Sequence, residues 1–157
     1  MSNATRTAMR KAARASKSND ASYVMPRLGE LLDSVGQPGR PGALHRLNAQ
    51  PVDPFLSYRL SQSIGQVEEK LSHYHSTRIK LCQRLGTLNE KSNLFEFGDN
   101  QEEFDREIEK LKSMQVKIDV APVRLKELHN PCPTCGQNMV RLSAHDMYAL
   151  SWLIVEG

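Results

Sequence analysis

No apolar run in this 157-residue chain reaches the ~18 residues of a membrane-spanning helix, so a helical membrane protein is not expected. Aromatics are only 6% of the chain. The mean hydropathy of −0.53 is polar for a densely cored globule, yet this is not the composition of a disordered chain. An elongated helical protein with a modest core fits both figures. Cysteine is scarce: three residues, two of them in a single C-x-x-C. That argues against a disulfide framework and suits a reducing compartment and metal ligation better. Also missing are a phosphate loop G-x-x-x-x-G-K-[ST], a nucleophile elbow and an H-E-x-x-H. An enzyme is therefore not the expectation.

Acid is absent from the first 18 residues, which hold Arg6, Arg10, Lys11, Arg14 and Lys17, a charge of +5. The whole chain is only +3, so the remaining residues sum to −2. Such segregation predicts a basic arm for polyanions on a near-neutral body. Residues 1–20 favour helix intrinsically but have no apolar face to hold against a core, so they read as a flexible arm that becomes helical on binding. Its chemistry is salt-sensitive, sequence-independent phosphate contact with DNA or RNA. Five cations with no aromatic among them position a chain without specifying bases. Arg27, Arg40 and Arg46 extend this candidate surface. The competing readings are a solubilising tail and a targeting peptide, since "TRTAMRKAARASKS" is rich in Arg and Ser. The apolar core of a secretory signal is missing, and the expected address is the cytoplasm or the interior of a virus particle.

Residues 21–52 begin with a short helix that has Pro26 in its first turn and Leu28, Leu31, Leu32 and Val35 on one side. A linker follows, with three Gly and four Pro between Gly36 and Pro54. Residues 53–128 carry the strongest periodicity. Asp53 caps a helix and Pro54 takes its first position. Leu60, Ile64, Val67, Leu71, Tyr74, Arg78, Leu81, Leu85, Leu88, Ser92 and Phe95 then fall at 4-3 spacing. This is a coiled-coil pattern with Arg78 and Ser92 as polar exceptions. The helix is expected to fray near "FGDN", where Gly98 and Asn100 permit a left-handed cap. Asp99 caps a second helix, whose seam runs through Phe104, Ile108, Leu111, Gln115, Ile118 and Leu125. It is expected to reach about Val120, break at Pro122 and end in a last turn at Leu128. The two seams fold back as an antiparallel helical hairpin. Because the first is much the longer, part of it needs another partner. "MQVKIDV" also alternates at period two, so residues 114–120 are a strand in the alternative reading.

Residues 129–157 hold the cysteine pair and "SAHDMYALSWLIVEG", with Ser143 and Asp146 at capping-box spacing. A helix apolar nearly all round must be buried in its own fold or in a partner, which suggests a homo-oligomer or protein partner. The expected fold is mainly α: a long coiled-coil-like helix and a helical hairpin, with a small C-terminal zinc knuckle and an apolar terminal helix.

The "CPTCG" turn at 132–136 suits tetrahedral zinc, because it brings two thiolates to one side of a tight loop whose N–H groups stabilise their charge. Gly136 tolerates the positive φ that follows the second ligand. The stretch resembles the zinc knuckle of rubredoxins and zinc ribbons. It is also similar to the hook of SMC-like DNA-repair ATPases, in which a coiled coil ends in such a turn. The resemblance covers about eight residues and implies a metal knuckle; the nucleotide-binding domain of those ATPases is absent. Zinc wants four ligands. One completion is His129-x2-Cys132-x2-Cys135-x9-His145 within the chain; the other is two chains sharing one metal through their cysteine pairs. Cys82, beside the Leu81 seam position, reads as a small core residue. Unligated cysteines and a redox dithiol are the competing readings. "CPTC" also resembles the glutaredoxin motif, but only 22 residues follow Cys135, too few to complete that fold.

His73 and His75 lie two apart on a helix, where neighbours face different ways and do not chelate one ion. Asp146 beside His145 invites a general-base reading, which its capping position explains equally well. The expected function is a non-enzymatic accessory protein of nucleic-acid transactions, with a structural Zn2+. The alternatives are a structural or adaptor subunit of a phage particle or other large complex, and a thiol-disulfide oxidoreductase.

Overall fold

The structure is a computed structural model that describes residues 22–37 and 39–157. The basic residues Arg6, Arg10, Lys11, Arg14 and Lys17 lie outside the described residues. The protein is about half helical, with a few short strands, and is built on one long helix.

In chain order the elements are α1 (Leu28–Val35), a hairpin of β1 (Gly36–Gln37) and β2 (Arg40–Pro41), α2 (Ala43–Asn48) and α3 (Pro54–Leu85). A second hairpin follows, β3 (Thr87–Asn89) and β4 (Leu94–Glu96), then a 3-10 turn (Gly98–Asn100) and α4 (Gln101–Lys112). The chain ends with β5 (Val123–Arg124), a 3-10 turn (Leu125–Leu128), α5 (Ala144–Ala149) and β6 (Ile154–Val155).

α3 starts as its sequence predicts: Asp53 Oδ1 accepts from the N–H groups of Phe55 at 2.9 Å and Leu56 at 3.4 Å, and Pro54 needs no donor there. With 32 residues it spans about 48 Å. Its seam is used inside the chain. Leu60, Val67, Leu71 and Tyr74 are buried in the main core with Leu31, Leu44, Leu47, Ile118, Val123, Leu150 and Leu153. The coiled-coil expectation placed these residues against a second helical strand; here α1 and α2 pack on α3 instead.

The helix does not continue to Phe95. It ends at Leu85 because the next residues form a hairpin, in which Thr87 pairs with Glu96 and Asn89 with Leu94. Asn89 Oδ1 accepts from Lys91 N at 3.0 Å and Ser92 N at 3.4 Å, and Asn93 has φ 57°. Both are habits of asparagine in turns, and they outweigh the continuing 4-3 spacing. Asn100 Nδ2 donates to the Leu85 carbonyl at 2.9 Å, satisfying an acceptor at the helix end.

α4 returns along the distal half of α3. Arg84 faces Glu103 near the turn, while Leu111, towards the other end of α4, packs on the main core, so the two helices are antiparallel. Between them Cys82, Phe104 and Ile108 form a second, smaller core, flanked by Leu81, Leu85, Phe95 and Phe97. The helical hairpin is therefore present, but α4 stops at Lys112 rather than near Val120. Residues 114–118 run antiparallel to residues 24–28: Ile118 N donates to Val24 O at 2.9 Å, Val116 N to Pro26 O at 2.9 Å and Leu28 N to Met114 O at 3.0 Å. Ile118 and Val120 are buried while Gln115, Lys117 and Asp119 are exposed. The stretch is therefore extended, with the period-two alternation of the alternative reading and not the helix expected to Val120.

The apolar C-terminal segment is shorter as a helix than its composition suggests. α5 ends at Ala149, and the chain then turns so that β6 pairs in parallel with β5. Leu150, Trp152, Leu153 and Ile154 are buried in the chain's own core, which satisfies the need for burial without a partner.

Candidate metal centre

Between the Leu125–Leu128 turn and α5 the chain makes a small hairpin of its own. Pro131 bridges to Asn138 in antiparallel register. Cys132 N donates to Gln137 O at 2.8 Å, Gly136 N to Cys132 O at 2.8 Å and Met139 N to Asn130 O at 2.9 Å. Gly136 takes φ +73°, the left-handed conformation that glycine adopts at least cost. Cys132 and Cys135 are free thiols at the apex of this hairpin, the first half-buried and the second exposed. The N–H groups of Cys135 and Thr134 are aimed at the Cys132 sulfur, and the Cys135 side chain also hydrogen-bonds to it. These donors stabilise the thiolate and hold the Cys132 thiol below its ordinary value. No helix begins at Cys132; α5 starts only at Ala144.

The base of the hairpin is tied to the body. Asn138 Oδ1 accepts from Asn130 N at 2.8 Å and Val140 N at 3.3 Å, and its Nδ2 donates to Leu128 O at 3.2 Å. Asn130 Nδ2 donates to Pro51 O at 2.5 Å. Gln50 brackets Arg141, accepting from its N–H and donating to its carbonyl. The loop between α2 and α3 thus holds both legs of the knuckle. Gln50 and Asn130 carry that role, and nothing local in the sequence marks them, because their partners lie 91 and 79 residues away.

The two histidines are placed differently. His129 is exposed at the foot of the hairpin, and His145 is exposed in the first turn of α5. Among the described residues no three or more His, Cys, Asp or Glu side chains come together as a group able to hold a metal ion. The structure therefore assembles a two-sulfur half-site and leaves His129 and His145 outside it. Asp146, next to His145, is engaged within the fold. It is buried, its carboxylate pairs with the Arg46 guanidinium, and its N–H donates to Ser143 Oγ at 3.0 Å. The Arg46 hydrogen bond holds its carboxyl below the usual value. Arg46 also donates to Pro41 O at 2.5 Å, so a residue expected on the phosphate-contacting surface is engaged within the fold. Arg27 and Arg40 are exposed.

A separate open groove of about 1000 Å³ lies between α3 and the β1–β2 hairpin, with Val35, Pro41, His45, Glu68, His75 and Ile79 among its walls. His45 Nε2 is 3.7 Å from Glu68 Oε1, and His45 Nδ1 is buried without a hydrogen-bond partner. His75 sits edge-on to Tyr74, 5.3 Å between ring centroids, while His73 is exposed. Glu68, His75 and Ile79 lie on one stripe of α3, a spacing the sequence displays; what it hides is that His45 lines the same groove and faces Glu68. Cys82 is buried beside Phe104 and Ile108, as a small core residue should be.

Among the described residues no helix is long and apolar enough to cross a membrane. No protein family matches the chain, and comparison with curated proteins and with solved structures returned no match.

Proposed function

We propose that this chain is a non-enzymatic, zinc-binding assembly module that attaches to nucleic acid through its basic N-terminal segment. The observation that carries the metal half is the 130–139 hairpin, which presents two thiols at its apex with backbone N–H groups already turned toward one sulfur. Soft thiolate ligands select zinc over the hard cations, and pre-aimed donors spare the cost of ordering the loop when the metal binds. Thiol exchange is less well supported, because the cysteines open no helix whose N-terminus would activate an attacking thiolate. The nucleic-acid half rests on charge: five cations and no acid in residues 1–18, ahead of a body that is slightly acidic. Assembly through the α3 seam is not part of this proposal, since Leu60, Val67, Leu71 and Tyr74 are already covered.

Gel-shift titration at several salt concentrations tests the nucleic-acid role. Neutralising five phosphates gives a slope of log K against log salt of about −4.5 on duplex DNA. Deleting residues 1–18 is expected to abolish both the binding and the slope; undiminished binding by the truncated chain would overturn the role of the segment.

A second reading, an adaptor subunit of a larger assembly, is favoured by Phe55 and Tyr58. They lie one turn apart on α3 and are 83% and 66% exposed, an apolar pair of the sort that protein partners cover. Stoichiometric co-purification with a large complex, together with no nucleic-acid affinity, distinguishes this reading from the first.

A further inference from the structure

Resting on the metal-binding reading above, we infer that the bound zinc is shared between two copies of this chain, each supplying Cys132 and Cys135. The knuckle is then a metal-dependent dimer contact.

Zinc in a structural site takes four ligands in a tetrahedron. One chain gathers two, and the described residues offer no group of three. The completion within one chain requires His129 and His145 to join the cysteines, and among the described residues no such group is assembled. His145 rides on α5, which is pinned on either side of that residue. Ser143 caps the helix through Asp146 N at 3.0 Å, and the buried Asp146 carboxylate is paired with Arg46 of α2. Carrying His145 to the knuckle means breaking that pair and leaving a buried carboxylate uncompensated. His129 is flanked by buried Leu128 and by Asn130, whose N–H is held by Asn138 at 2.8 Å.

The apex itself is open to a second copy. Pro133, Thr134, Cys135 and Gly136 are all exposed and Cys132 is half-buried, so among the described residues the apex is left open on the Cys135 side. No Asp or Glu lies between Glu127 and Asp146, so no carboxylate on this segment repels an identical hairpin or draws a hard cation. Glu127 is itself occupied by Arg59 at 2.5 Å. Four thiolates on one Zn2+ leave two negative charges, and each copy brings Arg141 at the foot of its hairpin. The contact is isologous, the same four-residue turn facing itself across a two-fold axis, and such an arrangement closes at two chains.

Native mass spectrometry of the full chain tests this, using reduced protein loaded with Zn2+ and the same sample after chelation. The expected result is a dimer carrying one zinc, which becomes a metal-free monomer on chelation. Cys135→Ser is expected to abolish both zinc and dimer while leaving the far-ultraviolet circular dichroism unchanged, because the side chain is exposed and belongs to neither core. His129→Ala and His145→Ala are expected to keep both. Cobalt substitution adds a readout of the ligand set: the thiolate-to-metal absorption per cobalt corresponds to four sulfurs, not two. A monomer with one zinc, or loss of zinc in either histidine variant, overturns the shared site and leaves the zinc-binding reading standing. Freshly reduced protein that takes up no zinc overturns both. A dimer that survives chelation and the Cys135→Ser change overturns the inference alone.

Discussion

Arg46 and Asp146 lie 100 residues apart in sequence, yet their ion pair joins α2 to α5 and fixes the C-terminal segment. Asp146 is buried, so removing its partner strands a desolvated carboxylate. Arg46→Ala is expected to lower stability by about 2–3 kcal/mol, the usual cost of losing a charged hydrogen bond at a buried acceptor. The effect has a definite pH dependence. Because Arg46 holds the Asp146 carboxyl below its ordinary value, the unfolded chain takes up the proton first as pH falls. The pair's contribution is therefore complete above the ordinary carboxylate range and is lost as pH falls through the depressed folded value. Urea denaturation at neutral pH and near pH 3 is expected to show wild type and Arg46→Ala converging at the acid end; a constant difference between them would contradict this account. At the same scale the turn that carries Cys132 and Cys135 was legible in the sequence, and the placement of His145 was not. Pro, Gly and the C-x-x-C spacing specify a local turn, whereas the position of His145 depends on α5 being tied down by an arginine far upstream. Spacing along a chain carries no record of that tie.

The elements differ in how far local chemistry determines them. α3 begins where Asp53 and Pro54 say it should, because capping is a local interaction. Its end was hidden: Leu88 and Phe95 keep the 4-3 spacing, and only the asparagines of "NEKSN" betray the turn that interrupts it. Residues 114–120 carry both a helical seam, which predicts helix to about Val120, and the period-two alternation of a strand. The ladder with residues 24–28, a non-local pairing, decided between them. Glycine separates local from tertiary demands within the same chain. A Cβ at Gly42 would overlap backbone atoms of Val35, Gly36 and Ser34, where the β1–β2 hairpin folds back on the end of α1. None of those atoms belongs to a side chain that can swing away. Gly65, in the exposed middle of α3, meets nothing within 4 Å. Gly42→Ala is therefore expected to cost about 3 kcal/mol through overpacking, and Gly65→Ala to add about 1 kcal/mol through helix propensity. Denaturant midpoints of the two variants check both signs, and a neutral Gly42→Ala would show that the hairpin does not lie so close to α1.

At the scale of the whole molecule, one helix passes through two cores of unequal size. The main core draws on α1, α2, the first two-thirds of α3, residues 118–128 and the C-terminal segment. The distal core is little more than Cys82, Phe104 and Ile108 with a fringe of half-buried neighbours, and Phe97 stacks on Phe104 at 3.9 Å between ring centroids. Free energy of opening follows buried apolar contact, so the distal end of α3, the β3–β4 hairpin and α4 form the cooperative unit that opens first. Native-state hydrogen exchange is expected to report this directly. The amides of Cys82 and Ile108 exchange through a partial opening, whereas those of Leu60, Val67, Ile118 and Val123 exchange only through global unfolding. Phe104→Ala removes the largest side chain of the distal core and is expected to cost about 3 kcal/mol. Its effect on exchange is confined to the distal unit as long as the main core holds. The cysteine hairpin is tied to the α2–α3 loop and not to α4, so the zinc uptake proposed for it is expected to be unchanged in that variant. Uniform protection from Leu60 to Ile108, or lowered protection of Leu60 and Val67 in Phe104→Ala, would mean that α3 couples the two cores into one unit.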